Sequence, residues 1–548
     1  MPEAPCSSGT GAASETETVI MVGHRWPFAP TTPRYGPTCS TTDGRAVKRS
    51  VPVVILMAGL CLCAARVPAQ QAGHPEAHWP QFRGPGASGL APEGMRLPVD
   101  FGPGKNELWT TALPPGHSSP CIWGDRIFLT GFDKAAGKLE TLGIDRPSGR
   151  ILWRRTAPAR RLERVHAIST PANPTPAADA EGVYVYFGSY GLLCYDFEGH
   201  PQWKLPLAVP KMADGMGTSP IVAGDLVLLN CESPPNPCLL AVDRLTGRIV
   251  WKHDRLPSVL GIPSHATPVL WSRGGVEEVI LHTTMRVTAH GVEDGRERWW
   301  VSVATTGCST PVVGEGRLFV ATWIHGGEPA DRVRLPDFDE LVNRHDKDRD
   351  GRLSRREFPP DLTFIRRPET GDTYGTDLKL IEFFDDLDAD KDGRLDRDEW
   401  AKLLSSPFNR VDHGLMAIGP GGSGDVTTTG VLWQQKQAVS EVPSPLCYRR
   451  RVYMVRDGGI VSCLDAGTGK LFYRERLGAG GGYFASPVAG DGKVYLASGR
   501  GVVTVLAAGD AFRPLAANDL GEPVFATPAV VDGKLYVRTG RHLCAFGD

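Results

Sequence analysis

Leu240-Ala241-Val242-Asp243-Arg244-Leu245-Thr246-Gly247-Arg248-Ile249-Val250-Trp251 decides how the rest of this chain is read. An apolar run ends in aspartate, a glycine-containing turn follows, and an apolar pair leads into a tryptophan. Asp and Gly are turn formers and the flanking runs favour extended backbone, so the pattern predicts two short antiparallel strands. The tryptophan position recurs as Trp109, Trp153, Trp203, Trp251, Trp299 and Trp433, with Tyr473 and Phe512 as weaker members. Upstream lies a second pattern, a small residue plus proline, an apolar pair, a turn and a β-branched run: Ser219-Pro220-Ile221-Val222-Ala223-Gly224-Asp225-Leu226-Val227-Leu228-Leu229. Related segments begin at Ser119-Pro120, Thr175-Pro176, Thr267-Pro268, Thr310-Pro311, Ser444-Pro445, Ser486-Pro487 and Thr527-Pro528. Each half of the unit thus occurs eight times.

Four short strands per unit, repeated every 40 residues or so, are the signature of a β-propeller blade. The ends of the chain point to ring closure. The last unit, from Thr527 to Phe546, supplies three strands, while the first tryptophan strand, Glu107 to Thr111, stands alone before any complete blade. Pairing them closes the ring and removes two exposed sheet edges. The predicted fold is therefore all-β, an eight-bladed propeller closed by its N- and C-terminal strands. Composition agrees: in 548 residues there are 64 Gly and 46 Pro, as many turns require, and 41% hydrophobic residues, which excludes wholesale disorder. With 60 Lys+Arg against 62 Asp+Glu the net charge is -2, which excludes a basic nucleic-acid binder. The tryptophans are read as packing residues between neighbouring blades.

The unit at 241–251, with variants at 143–153 and 459–473, resembles the repeat of pyrroloquinoline-quinone-like propellers. Trp79-Pro80-Gln81-Phe82-Arg83-Gly84-Pro85 is similar to the segment that precedes the ring in exported bacterial members. The resemblance spans most of 78–330 and 413–548. It implies fold rather than activity, since quinone-dependent alcohol dehydrogenases and non-catalytic scaffolds of outer-membrane assembly share the repeat. Catalytic members imply a quinone and a calcium ion in the central funnel, an acid/base carboxylate, and in many a disulfide between adjacent cysteines. No two cysteines are adjacent in this sequence.

The first 50 residues are rich in Ser, Thr, Pro and Gly and lack periodicity. A basic stretch from Arg45 to Arg49, the apolar run Val51 to Ala65 and the small-residue site Val67-Pro68-Ala69 then follow the order of a secretory signal. Residues 1–69 are therefore expected to be a disordered leader and signal peptide, with translation starting near Met21 or Val47 and cleavage after Ala69. An uncleaved anchor is the alternative. Either way the chain is expected to be exported, periplasmic or extracellular, with no membrane span once the signal is removed. Among the remaining eight cysteines, Cys231 and Cys238 flank a Pro-rich turn between strand-like runs and are the expected pair.

After Trp323 the repeat breaks, and it resumes near Leu415. About half of the residues from Asp331 to Lys402 are charged. The pattern there predicts helical segments around Phe338 to Arg344, Leu378 to Leu387 and Trp400 to Leu404. The expected boundaries are 75–330 for the first part of the ring, 331–412 for the insertion and 413–548 for the second part.

Inside the insertion, Asp346-Lys347-Asp348-Arg349-Asp350-Gly351-Arg352-Leu353-Ser354-Arg355-Arg356-Glu357 and Asp388-Ala389-Asp390-Lys391-Asp392-Gly393-Arg394-Leu395-Asp396-Arg397-Asp398-Glu399 both fit a twelve-residue EF-hand loop. Carboxylates at positions 1, 3 and 5 converge, Gly at 6 permits the sharp turn, and the carbonyl at 7 faces the ion. Position 9 acts directly or through water, and Glu at 12 gives two oxygens. The predicted ligands are Asp346, Asp348, Asp350, Arg352 (carbonyl), Ser354 and Glu357 in one loop. Asp388, Asp390, Asp392, Arg394 (carbonyl), Asp396 and Glu399 serve the other. Hard oxygen donors select Ca2+, giving two sites. Leu353 and Leu395, at position 8, are expected to meet in a short two-stranded contact.

Two functions remain in view. One is an exported calcium-binding propeller, non-catalytic, presenting its funnel or rim to a protein or polymer of the cell envelope. The alternative is a quinone-dependent oxidoreductase of the alcohol or sugar dehydrogenase type, with His117, His166, His265, Tyr483 and Phe525 as candidate channel residues. A hydrolase has no Gly-x-Ser-x-Gly or His-Glu-x-x-His motif to support it.

Overall fold

The computed structural model describes residues 78–210, 214–232, 237–255, 264–303, 305–323, 331–366, 377–405 and 413–547. The leader expected at 1–69 lies outside them. Among the described residues no helix is long and apolar enough to cross a membrane.

Eight antiparallel sheets form the ring. Blade three is the plainest: Ile221–Ala223 innermost, then Leu226–Cys231, Cys238–Asp243 and Ile249–Asp254 at the outer edge. The eighth blade is assembled from both ends of the chain. Ala529–Val531, Lys534–Arg538 and His542–Phe546 pair in order, and Glu107–Ala112 completes the sheet, with Thr110 opposite Cys544 and Ala112 opposite His542. This is the closure the sequence predicts.

The tryptophans hold neighbouring blades together by a recurrent contact. Each indole N–H donates to a carbonyl in the turn of the next blade: Trp109 to Arg146 (3.0 Å), Trp153 to Phe197 (2.8 Å), Trp203 to Arg244 (2.8 Å), Trp251 to Val292 (3.0 Å) and Trp433 to Ala466 (3.3 Å). The ring then lies over that turn's glycine. A Cβ at Gly199, whose φ is +81°, would sit 2.6 Å from the Trp153 ring, so both the backbone conformation and the space require glycine. Trp299 departs from the pattern and bonds Glu278 of its own blade instead (3.3 Å). Its blade carries an extra outer strand, Gly424–Asp425, reaching back from blade five.

Phe512 is not the eighth member of the series. It precedes the outer strand Pro514–Asp519 and packs against Tyr473 at 5.7 Å, while Ala516 holds the strand position opposite Val505. At this seam the aromatic comes from elsewhere in the chain. Phe101, 2% exposed, packs against Phe546 at 5.0 Å, in the same core as Ala516.

At the start of the blades the Ser/Thr-Pro motif forms a belt. The backbone N–H of each Ser or Thr donates to the hydroxyl of the next: Ser119 to Thr175, Thr175 to Ser219, Ser219 to Thr267, Thr267 to Thr310, Thr310 to Ser444, Ser444 to Ser486 and Ser486 to Thr527, all at 2.9–3.1 Å. Proline follows each belt residue. It lacks an N–H and cannot compete for these acceptors, and its ring fixes the backbone entering the strand.

The segment before the ring crosses its axis. Trp79 pairs with Ile122 of blade one, Pro80 O accepts the Ala178 N–H of blade two (2.7 Å), and Arg83 Nη2 donates to Pro445 O, beside the innermost strand of blade six (2.8 Å). Ala489 of blade seven then exchanges backbone bonds with Gly89 and Ala91. Blades two and six are opposite members of an eight-membered ring, so residues 80–83 lie across the channel.

The insertion joins the second and third strands of blade five, Arg317–Thr322 and Gly414–Ile418. Its helices run Phe338–His345, Phe384–Leu387 and Arg397–Ser405. Phe338, Leu341, Leu353, Phe358, Leu380, Phe384, Leu395 and Trp400 form a separate core. The helix expected from Leu378 begins later. Asp377–Lys379 is a strand paired with Thr363–Arg366, followed by a 3-10 turn at Leu380–Phe383. Pairing with 363–366 satisfies these backbone groups, which overrides helical periodicity.

Candidate functional site

Strands alternate in direction within each blade, so the belt, the loops that enter the innermost strands and the two ends of the insertion all lie on one face of the ring. On that face a cavity of about 310 Å3 opens, lined by the belt hydroxyls. Phe82, from the segment crossing the axis, is among its lining residues.

Four of the five expected channel residues line it: His117, His166, His265 and Phe525. Tyr483 does not. It is 1% exposed, donates its hydroxyl to Ala479 O (2.8 Å) and its N–H to Asp457 (2.6 Å), and leaves the neighbouring Phe484 to face the funnel. His117 stacks on Phe525 at 4.7 Å. Burial, with Arg538 close by, pulls its imidazole down to about 4, so it is neutral at pH 7. The sequence reading missed Asp214, Glu441, Cys308 and Trp323, which also line the funnel. No repeat motif marks them: Asp214, Cys308 and Glu441 sit in irregular loops between blades, and Trp323 where the insertion leaves blade five. Burial pushes the Cys308 thiol up to about 12, so it is not a thiolate at neutral pH. Among the described lining residues are two carboxylates and no Lys or Arg.

The insertion that leaves from this face carries the two acidic loops. The carboxylates of Asp346, Asp348 and Asp350 offer oxygens within 4.8 Å of one another, and those of Asp388, Asp390 and Asp392 do the same. Gly351 (φ +80°) and Gly393 (φ +83°) make the turn at position 6. Glu357 folds back over its loop, accepting N–H groups of Lys347 (3.0 Å) and Ser354 (3.0 Å) and the Ser354 hydroxyl (2.6 Å). These bonds, the hydroxyl first, hold its carboxyl down at about 2. Glu399 does likewise with Ala389 (2.7 Å) and Asp396 (3.1 Å). Leu353 pairs with Leu395 across the two loops, as expected from position 8.

One feature of the loops escaped sequence reading. The position-7 arginines reach across to the opposite loop: Arg352 to Asp392 (2.5 Å), and Arg394 to Asp348 (3.1 Å) and Asp350. Each side chain thus offsets the acids of the other site, while its carbonyl stays with its own loop. The insertion is also tied to blade six. Asp331 and Arg456 form an ion pair at 2.7 Å with both side chains under a tenth exposed, and Asp331 O accepts the Arg366 N–H. Arg456 precedes Asp457, whose carboxylate holds the Tyr483 backbone beside Phe484.

The described arrangement can be set against known proteins. The family model for the outer membrane protein assembly factor BamB matches residues 239–341 and 422–513, and an EF-hand model matches residues 380–404. No curated protein matches. Among solved structures, a europium-containing methanol dehydrogenase aligns at 11% identity with a TM-score of 0.50, over 86% of this chain and 98% of its own. A quinohemoprotein alcohol dehydrogenase from Pseudomonas putida HK5 aligns at 12% with a TM-score of 0.51, over 86% and 80%. BamB from Moraxella catarrhalis aligns at 13% with a TM-score of 0.46, over 80% and 98%. At such identities the structures speak for the fold alone.

Proposed function

Starting from a chain of pyrroloquinoline-quinone-like repeats that carries an EF-hand insertion, we propose that it is an exported, calcium-binding propeller that binds a cell-envelope partner without catalysis. The carrying observation is the pair of convergent carboxylate loops on the same face as the funnel mouth. Asp346, Asp348, Asp350, Ser354 and Glu357, with the Arg352 carbonyl, hold one Ca2+. Asp388, Asp390, Asp392, Asp396 and Glu399, with the Arg394 carbonyl, hold the second. The ions draw these acids inward and brace the module against the ring, so that funnel and module present one surface. Outside the cell calcium is abundant enough to keep sites of even millimolar affinity filled, which favours a brace over a switch.

The oxidoreductase alternative fits the funnel poorly. Pyrroloquinoline quinone carries three carboxylates, and the described lining meets them with Asp214, Glu441, hydroxyls and a neutral His117, without a Lys or Arg. The single lining cysteine, Cys308, provides no adjacent disulfide.

Titration of the calcium-stripped chain with Ca2+ is expected to show two binding events. Calorimetry with chelator is expected to lose the insertion's transition and keep that of the ring. An unchanged melting profile overturns the calcium reading. A quinone spectrum with dye-linked alcohol oxidation after adding quinone and Ca2+ overturns the non-catalytic one.

A further inference from the structure

We propose that Cys231 and Cys238 form a reversible disulfide that clasps a hairpin on the funnel-mouth face of blade three, made by exchange with a small disulfide or an oxidised dithiol protein. Both are free thiols in the structure. They are also direct partners in the antiparallel pairing of Leu226–Cys231 with Cys238–Asp243, at the end next to the connecting turn. Cα atoms of opposed residues in such a ladder lie about 4.5 or 5.5 Å apart. Both values fall inside the range of roughly 4.4–6.8 Å that a disulfide spans, so the bond needs no backbone rearrangement. Among the described cysteines no other two are register partners.

The surroundings make the pair reactive. The Cys231 thiol hydrogen-bonds to Cys238, which lowers the proton affinity of Cys238 and raises that of Cys231. Lys252 and Arg255 add positive charge beside Cys238. Arg255 is held there by Asn230 (2.5 Å) and Glu232 (2.9 Å). Cys121 contrasts with the pair: alone in an apolar strand, its thiol is driven up by burial.

The chemistry balances. Cys238, the thiol of lowered proton affinity, attacks the incoming disulfide as its thiolate and expels one thiolate. Cys231 then loses its proton to water and attacks the Cys238 sulfur of the mixed disulfide, expelling the second thiolate. Two protein thiols are oxidised and one external disulfide is reduced to two thiols. The closed bond fixes the hairpin against local opening, independently of whether calcium is bound.

Exposing the reduced full-length protein to glutathione disulfide, alkylating the remaining thiols and mapping peptides by mass tests this. The expected product is a Cys231–Cys238 crosslinked peptide, reversed by dithiol, while Cys121, Cys194, Cys447, Cys463 and Cys544 stay unmodified until the protein is unfolded. Cys231→Ser is expected to stop at a persistent glutathione adduct on Cys238. Two alkylatable thiols at this hairpin after exposure to glutathione disulfide overturn the proposal. So does a Cys231→Ser protein, folded by circular dichroism, that gains no more adduct than wild type.

Discussion

The ring and its insertion solve the same problem, holding short elements in register, with opposite chemistry. In the ring the recurrent seam contacts are neutral: a belt N–H on a neighbouring hydroxyl, an indole N–H on a neighbouring carbonyl, an aromatic face over a glycine. These bonds are short, buried and insensitive to salt, and they repeat, so stability is shared around the circle. In the insertion the hydrophobic core is small and the loops are built from carboxylates. Like charges at that spacing repel, and the arginines at position 7 offset part of that repulsion. The difference teaches that the ring repeats one self-contained contact, whereas on the proposed function the module draws its rigidity from what its acids bind.

The Asp331–Arg456 pair is the point where the comparison breaks most readily, since it is a buried ionic bond joining the two regions. Arg456→Met leaves the Asp331 carboxylate buried without its partner. Removal of one member of such a pair costs about 3–5 kcal/mol. Urea denaturation is expected to show that loss in the transition reporting the insertion, with the ring's midpoint shifted far less. Equal shifts in both transitions would mean that frame and module unfold as one unit and that the distinction is wrong.

The ring also buries charged groups, and Glu163 is one of them. Glu163 is buried, accepts the Met216 N–H (3.0 Å) and receives no bond on its other oxygen. Burial pushes its carboxyl up to about 7. Its folded value lies above the unfolded value of 4.5, so between these limits the folded state holds more protons. Stability from this group is therefore full below about pH 4.5 and is lost as pH rises towards and through 7. The slope is at most ~1.4 kcal/mol per pH unit. Glu163→Gln is expected to flatten that part of the stability profile, read by denaturant titrations from pH 5 to 8.

How much of this was legible in the sequence depends on whether a feature repeats. Eight Ser/Thr-Pro starts and the Asp-Gly-Trp turns give the blade count and the terminal closure, because each blade presents the same physical requirement. The acidic loops were readable for a related reason: glycine at 6 and glutamate at 12 are steric and chemical necessities, and the observed turn and fold-back use both. What stayed hidden lies between repeats. Phe101 fills the seam at Ala516 from over 400 residues away in sequence, Phe484 rather than Tyr483 faces the funnel, and Asp214 and Glu441 enter from irregular loops. Periodicity carries no information about such positions. The belt was visible as a pattern of small residues, but its meaning, a backbone donor meeting the next hydroxyl, required the circle to be closed.

The smallest expected effect sharpens the comparison at the loops themselves. Arg352 and Arg394 lie across from the acids of the opposite site, and both are partly exposed, so each pair contributes weakly and is screened by salt. A Ca2+ entering either loop must displace the arginine that occupies its carboxylates. Arg352→Gln with Arg394→Gln keeps the position-7 carbonyls and removes both competitors. Calcium affinity is expected to rise by roughly two- to fivefold, the span of exposed ion pairs. The gain should shrink as salt screens the arginines in wild type, and the chelated variant should melt lower than chelated wild type. An unchanged affinity at low salt would show that the arginines leave the acids at no cost. The acids alone would then account for the module's dependence on a cation.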